Sequence, residues 1–351
     1  MRRRLALSIT SLTAAIAVSG LVPSLAAADG STTPSSIPAQ TAASTPTATT
    51  TPSTPTTPAV KAAVRLFVSN AFFVRSAAVT VPGRAFSVAG AVRPYVAGQV
   101  VTVKTFVGHR RIKFDRLRVK PSKNGRVGFF TETVRSPTAG IVHITVTHAR
   151  TPQMLGFLAR RAVAALTPQA GFGSRGLFVD LIQQRLLALH VYLPASGVYD
   201  TQMGLAIDAY HRLLGHGTSQ QLDGATVSAL LNGKGVFHVR HPHDGTHIEG
   251  NLSQQLLAEI YGSKVFRIYP ISSGKPSTPT VLGHFRVYQR DPGYLPDGMY
   301  YSSFFYGGYA IHGYNPAPDY PASHGCMRLP IIDAISVFSW LTYGDVVDVY
   351  L

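Results

Sequence analysis

Polar and apolar positions alternate with period two along much of the first folded stretch. In VVTVKTFV, Val101, Val103 and Thr105 oppose Thr102, Lys104 and Phe106. In IVHITVTH, Val142, Ile144 and Val146 oppose His143, Thr145 and Thr147. Turn signals punctuate these runs at Pro82-Gly83, Ala97-Gly98, Asn124-Gly125 and Ala139-Gly140. Short alternating runs with regularly spaced turns predict an antiparallel β-sandwich of immunoglobulin-like type over 62–150. The period changes over 171–234. Phe178, Ile182, Leu186 and Leu189 recur every three or four residues, as do Met203, Ile207, Tyr210 and Leu214. Asp200 is a candidate N-cap, Gly215 a stop, and Asp223-Gly224 opens a third turn into LDGATVSALL. The pattern predicts a small module of three helices. Over 238–351 the alternation returns: SKVFRIYPIS places Val265, Arg267, Tyr269 and Ile271 on one face, and HFRVYQ, GYAIHGY and DVVDVYL read as strands. Pro330 opens a late helix whose Ile332, Ile335 and Phe338 are expected on its packed side, with Gly344 after it. The fold class expected is mainly β with one small helical module.

Two N-terminal segments do not fit a packed domain. Arg2, Arg3 and Arg4 precede an apolar stretch and small residues up to Ala28, which predicts an export signal over 1–28, cleaved or retained as an anchor. Either form places the remainder outside the cytoplasm. Residues 29–61 are almost entirely Ser, Thr, Pro and Ala, too poor in large apolar groups to offset the entropy of ordering, and read as a disordered linker. At about 3.1 Å per residue such a chain spans many tens of ångströms. The formal charge is +16, and removal of the three leader arginines lowers it to +13. Much of it sits in KTFVGHRRIKFDRLRVKPSKNGR, residues 104–126. That segment either faces an anionic wall polymer or is a solvated basic face; export argues against a nucleic-acid partner.

The chain has a single cysteine, Cys326, so no disulfide forms within it. Its surroundings, ASHGCMRLP, hold more chemistry than a lone thiol. His312 ends a predicted strand fourteen residues upstream and can return as a base, and Arg328 supplies a fixed cation suited to a carboxylate. The late helix just downstream is expected to lower the thiol pKa. Gly325 lets backbone N–H groups approach an oxyanion. Nucleophile, base, anion site and backbone donors together make an acyl-transfer constellation. His238, His241, His243 and His247 invite a metal reading. No Cys or Glu stands at tight ligand spacing with them, and they are read as a solvated loop; no metal or cofactor is expected. The aromatics of GMYYSSFFYGGY are read as packing residues rather than a cleft lining.

Two resemblances follow from these residues. GFGSRGLFVDLIQQRLLAL, SGVYDTQMGLAIDAYHRL and LDGATVSALL resemble the peptidoglycan-binding domain of wall enzymes, although Asp200-Thr201 replaces the usual Asp-Gly and Tyr210-His211 the common Phe-Gln. YPISSGKPSTPTVLGHFRVY, GGYAIHGY and PASHGCMRLP resemble the L,D-transpeptidase catalytic domain of YkuD type. The resemblance implies a β-sandwich-like catalytic fold, Cys326 as nucleophile and His312 as general base oriented by the Gly313 carbonyl. Ser323, His324, Gly325 and Arg328 are implied to shape the anion site and substrate cleft. The implied reaction is formation of 3→3 crosslinks between peptidoglycan stem peptides through a cysteine thioester, with carbapenems as covalent inhibitors. An L,D-carboxypeptidase acting on the same bond and a non-catalytic wall-binding protein are the alternatives.

Overall fold

A computed structural model describes residues 58–351. The expected signal over 1–28 and the linker up to residue 57 lie outside the described residues. Val60, placed in the linker by composition, already bridges to Met154.

The N-terminal part is a sandwich of ten strands: β1 (Ala63–Ser69), β2 (Phe72–Val74), β3 (Ala77–Thr80), β4 (Ala85–Arg93), β5 (Val100–Val107), β6 (Arg110–Arg118), β7 (Lys120–Pro121), β8 (Gly128–Arg135), β9 (Gly140–His148) and β10 (Phe157–Ala165). One sheet runs β1-β4-β8-β7, the other β2-β3-β10-β9-β5-β6. Phe86, Val88, Val92 and Val134 of the first sheet meet Val101, Val103, Val142, Ile144 and Val146 of the second in a closed core. The alternation works because one face of each strand is buried, and a slip of one residue would expose the whole set. The sandwich does not stop at 150. β10 pairs along its full length with β9 and also lies parallel to β3. The basic segment 104–126 includes β6, the edge of the larger sheet. A strand dense in Arg and Lys at an edge discourages pairing with other chains, a role that needs no partner.

Three helices follow: α1 (Leu177–Ala188), α2 (Thr201–Leu213) and α3 (Gly224–Leu231). Asp200 and Asp223 cap the second and third, accepting from the N–H groups of Met203 and Thr226 at 2.9 and 2.6 Å. Their apolar faces do not close on themselves. Leu181, Ile182, Leu186, Met203, Ile207 and Leu230 share one core with Val74 and Val79 of the sandwich and with Leu256, Ala258, Ile260 and Ile268 downstream. The helical module is therefore a wedge bonded to both neighbours by burial.

The C-terminal part comprises β11 (Thr246–Asn251), β12 (Leu256–Tyr261), β13 (Lys264–Pro270), β14 (Gly283–Arg286), β15 (Gln289–Tyr294), β16 (Tyr300–Tyr306), β17 (Tyr309–Tyr314), β18 (Met327–Pro330), α4 (Ile331–Trp340) and β19 (Val346–Tyr350). One sheet is ordered β13-β12-β11-β19-β14 and the other β15-β16-β17-β18. β13 is not one-sided as its sequence suggests. Ile268 points to the helical wedge, and Tyr269 points to a second core with Ile248, Ile311, Met327, Leu329 and Val347. A sheet buried on both faces has little polar alternation to show.

The late helix turns the opposite way to its apolar pattern. Asp333, Ala334 and Val337 face inward, while Ile332 and Ile335 are about half exposed. The reason is close approach. Gly313 presents bare backbone to the helix, and a Cβ there would lie 2.6 Å from that of Ala334. Asp333 meets Gln202 of α2 across the module boundary.

Candidate active site

β17 and β18 run parallel, with Ile311 opposite Met327 and His312 opposite Arg328. Ile311 and Met327 are core residues. Alternation then sends His312 and Arg328 to the other face of the same strand pair. Cys326 immediately precedes β18 and is level with Ala310, whose N–H it meets, so the thiol and the imidazole lie two positions apart along β17. The local sequence enforces this. Gly307 and Gly308 turn the hairpin that launches β17, and the loop through Ser323 returns the chain beside it.

Cys326 Sγ accepts the Ala310 N–H at 3.4 Å and lies 3.8 Å from the Gly308 carbonyl oxygen. His312 Nδ1 stands 2.9 Å from the Gly313 carbonyl oxygen. A carbonyl only accepts, so Nδ1 carries the proton and Nε2 keeps its lone pair. The ring is buried, edge-on to Tyr314 at 5.7 Å. The Arg328 guanidinium carbon sits 4.0 Å over the Tyr314 ring, and its Nε is buried without a partner. His324 is exposed at the rim, its Nε2 3.2 Å from Lys275 Nζ.

Ser323 and Gly325 hold the loop rather than face a substrate. Ser323 is fully buried; its hydroxyl donates to the Cys326 carbonyl at 2.6 Å and accepts the Gly325 N–H at 3.1 Å. That bond occupies the amide expected to serve an oxyanion. Gly325 instead supplies space: its φ is +122°, and a Cβ would fall 1.8 Å from the Tyr309 ring. Gly325→Ala is expected to displace Tyr309 or the loop and to cut thiol acylation by roughly 100-fold, a loss read by single-turnover acylation kinetics.

The electrostatics differ from an ionised sulfur beside a helix end. β18 intervenes between Cys326 and α4, so the helix N-terminus does not reach the thiol. Burial pushes the Cys326 thiol above its usual value, against the Ala310 N–H and the Arg328 charge, which both pull it down. Burial likewise pushes His312 down to about 4; the Gly313 bond opposes this and Arg328 adds to it. Asp297 raises both groups. At neutral pH the resting pair is thiol and neutral imidazole. The unfolded imidazole titrates near about 6.5. Native His312 therefore contributes stability that is present above that value and is lost as pH falls toward about 4. Acid melts of wild type should lose about 3 kcal/mol more than a His312→Gln variant across this window.

Sequence reasoning missed Asp297, Lys275 and the seat provided by Tyr309 and Tyr314. The tyrosines had a signal in their aromatic-rich runs; Asp297 and Lys275 reach the site from loops far away in sequence. The histidine-rich run also departs from its expectation, because His247 is buried, bonded to Gly245 O at 3.0 Å and 3.4 Å from Glu249 Oε1.

A buried imidazole with its tautomer fixed by a carbonyl stands on β17, and a thiol stands on the loop that leads into the parallel strand β18. Residues 245–349 match the L,D-transpeptidase catalytic domain family (YkuD), and the chain carries a catalytic domain of that family. Bacillus subtilis YkuD is 36% identical over 102 residues, 28% of this chain and 62% of that protein. The chain thus spans less than two thirds of the curated relative it matches. Among solved structures, an L,D-transpeptidase from Xylanimonas cellulosilytica is 28% identical, covering 52% of this chain and all of that one, with a TM-score of 0.46. The catalytic domain of an E. faecium L,D-transpeptidase acylated by ertapenem is also 28% identical, over 30% of this chain and 98% of that one, with a TM-score of 0.26.

Proposed function

We propose that this chain is an exported, wall-associated L,D-transpeptidase that joins peptidoglycan stem peptides by 3→3 crosslinks. The observation that carries the reading is the parallel pairing of β17 with β18, which returns the Cys326 loop to the strand that bears His312, with the His312 Nδ1 engaged and Nε2 left as the candidate base. His312 Nε2 takes the Cys326 proton as the sulfur attacks the donor amide carbonyl. The tetrahedral adduct collapses, the C–N bond breaks, and the imidazolium returns its proton to the departing terminal amine. A thioester remains. An amine from a second stem then attacks it, His312 accepts the amine proton, and the thiol is restored as the new amide forms. Moving one proton between neutral partners suits a site too dry to keep an ion pair at rest.

Arg328 would hold a substrate carboxylate, a role supported by its seat on Tyr314 and its buried, unpartnered Nε. The helical wedge and the basic β6 edge are the surfaces through which the chain would hold peptidoglycan and its anionic polymers. A carbapenem would acylate Cys326 by the same attack on a carbonyl.

Mass spectrometry of disaccharide-tetrapeptides incubated with the purified chain tests the proposal. Joined stems with loss of the terminal residue support it. Free tripeptides alone would reassign the chain as a carboxypeptidase, and unchanged substrate would remove the catalytic reading.

A further inference from the structure

Away from the cysteine, three distant segments bring metal-ligating side chains together. His241 and Asp244 lie on the loop entering β11, Asp348 on β19, and His284 on β14. One ligand atom from each of His241, Asp244 and Asp348 lies within 4.8 Å of the others. The ladder places His284 directly opposite Asp348. Its Nδ1 stands 2.7 Å from Asp348 Oδ1 and 3.4 Å from Asp244 Oδ2.

The second observation is an orphaned oxygen. Asp348 is 1% exposed, and while Oδ1 meets His284, Oδ2 has no hydrogen-bond partner. A buried carboxylate oxygen without a partner is costly, and it calls for an explanation. Transpeptidation offers none, because these residues belong to the β11–β19–β14 sheet and the thiol to the other. Two carboxylates in one cluster repel, and a cation between them relieves both problems.

We propose that His241, Asp244 and Asp348 bind a divalent transition-metal ion of zinc type, with His284 completing the fourth position. Two imidazoles and two carboxylates form a nitrogen-oxygen set suited to zinc and unlike the all-oxygen cages of calcium or magnesium. At ligand bonds of about 2.1 Å, neighbouring ligand atoms of a tetrahedral site stand about 3.4 Å apart. The contraction from the apo spacing falls on His241 and Asp244, half-buried on a loop, while Asp348 is fixed in its strand. Four protein ligands leave no open position, so the ion is a structural clip. It ties the entry loop of the catalytic domain to its last strand and to β14. The ligands are spread from 241 to 348, which is why local spacing in the histidine run does not reveal them.

The test uses the untagged, metal-stripped chain carrying Cys326→Ala, so that the sole thiol cannot compete. Equilibrium dialysis against zinc should give a single tight ion per chain, and cobalt should give the intense visible bands of a tetrahedral site. His241→Gln and Asp244→Asn should each weaken binding by roughly 10-fold or more. Both are loop positions, so the metal-free melting temperature should not move, which separates lost ligation from misfolding. Absence of stoichiometric zinc in Cys326→Ala overturns the site. So does zinc binding that both substitutions leave unchanged.

Discussion

Cys326→Ala is expected to abolish crosslinked product and acyl-enzyme together, whereas His312→Ala should retain a trace of acylation, slower by about 10²–10⁴-fold. The asymmetry follows from the resting state. Burial holds the thiol protonated and His312 neutral, so the sulfur cannot attack at a useful rate unless the imidazole removes its proton in the same step. Without His312 only the small ionised fraction reacts. Acylation of wild type by a carbapenem, followed by intact-protein mass, should consequently be nearly flat from about pH 5 to about pH 8, because His312 stays available as a base throughout. In His312→Ala it should instead climb with pH, tracking the thiol. A pre-formed thiolate–imidazolium pair predicts a different outcome: thiolate absorbance in the ultraviolet already present at neutral pH in wild type. Its detection there would overturn this account of the electrostatics while leaving the nucleophile in place.

What the sequence conveys of this site is its chemistry rather than its environment. Cys326, His312 and Arg328 stand within one short run, and the parallel pairing of β17 with β18 sets His312 opposite Arg328 with Cys326 just before the strand. The direction of both titrations is not conveyed, because it depends on how completely Tyr309, Tyr314 and the returning loop exclude water. Gly325 shows the same limit. Its position beside the nucleophile suggests an amide for an oxyanion, but the Ser323 hydroxyl that takes this amide is set by the fold of the whole loop. Among the strands, one-sided elements such as β5 and β9 are legible because one face is wet. β10, with Arg160 and Arg161 at its centre, is not; neither is β13, covered on both faces. The late helix misleads for a related reason: a glycine on β17 and a glutamine on α2 determine which face of it can approach.

Arg212→Met is expected to destabilise the protein by about 3–5 kcal/mol and to depress crosslinking even at temperatures where the chain stays folded. Arg212, 6% exposed, pairs with Asp208 at 2.6 Å and donates to the carbonyls of Gln255 and Ile271 at 2.7 and 2.8 Å. Methionine can fill the stem of the side chain but leaves Asp208 buried without its cation, and burial already pushes that carboxyl upward. It also leaves the Ile271 carbonyl without a donor, while that of Gln255 keeps only the Ile271 N–H at 3.0 Å. The catalytic consequence runs through one strand end. Ile271 precedes Ser272, which exchanges backbone hydrogen bonds with Arg328, and Ser273, whose carbonyl accepts the Ser323 N–H. Loosening that end from α2 shifts the frame on which Arg328 and the Cys326 loop hang, and small misplacements at an acyl-transfer centre are costly. A double variant, Asp208→Leu with Arg212→Met, removes the stranded charge and should recover much of the stability while crosslinking stays low, because the Ile271 carbonyl still lacks its donor. Recovery of both together would mean that the ion pair contributes stability only and that the helical wedge plays no part in positioning the thiol loop.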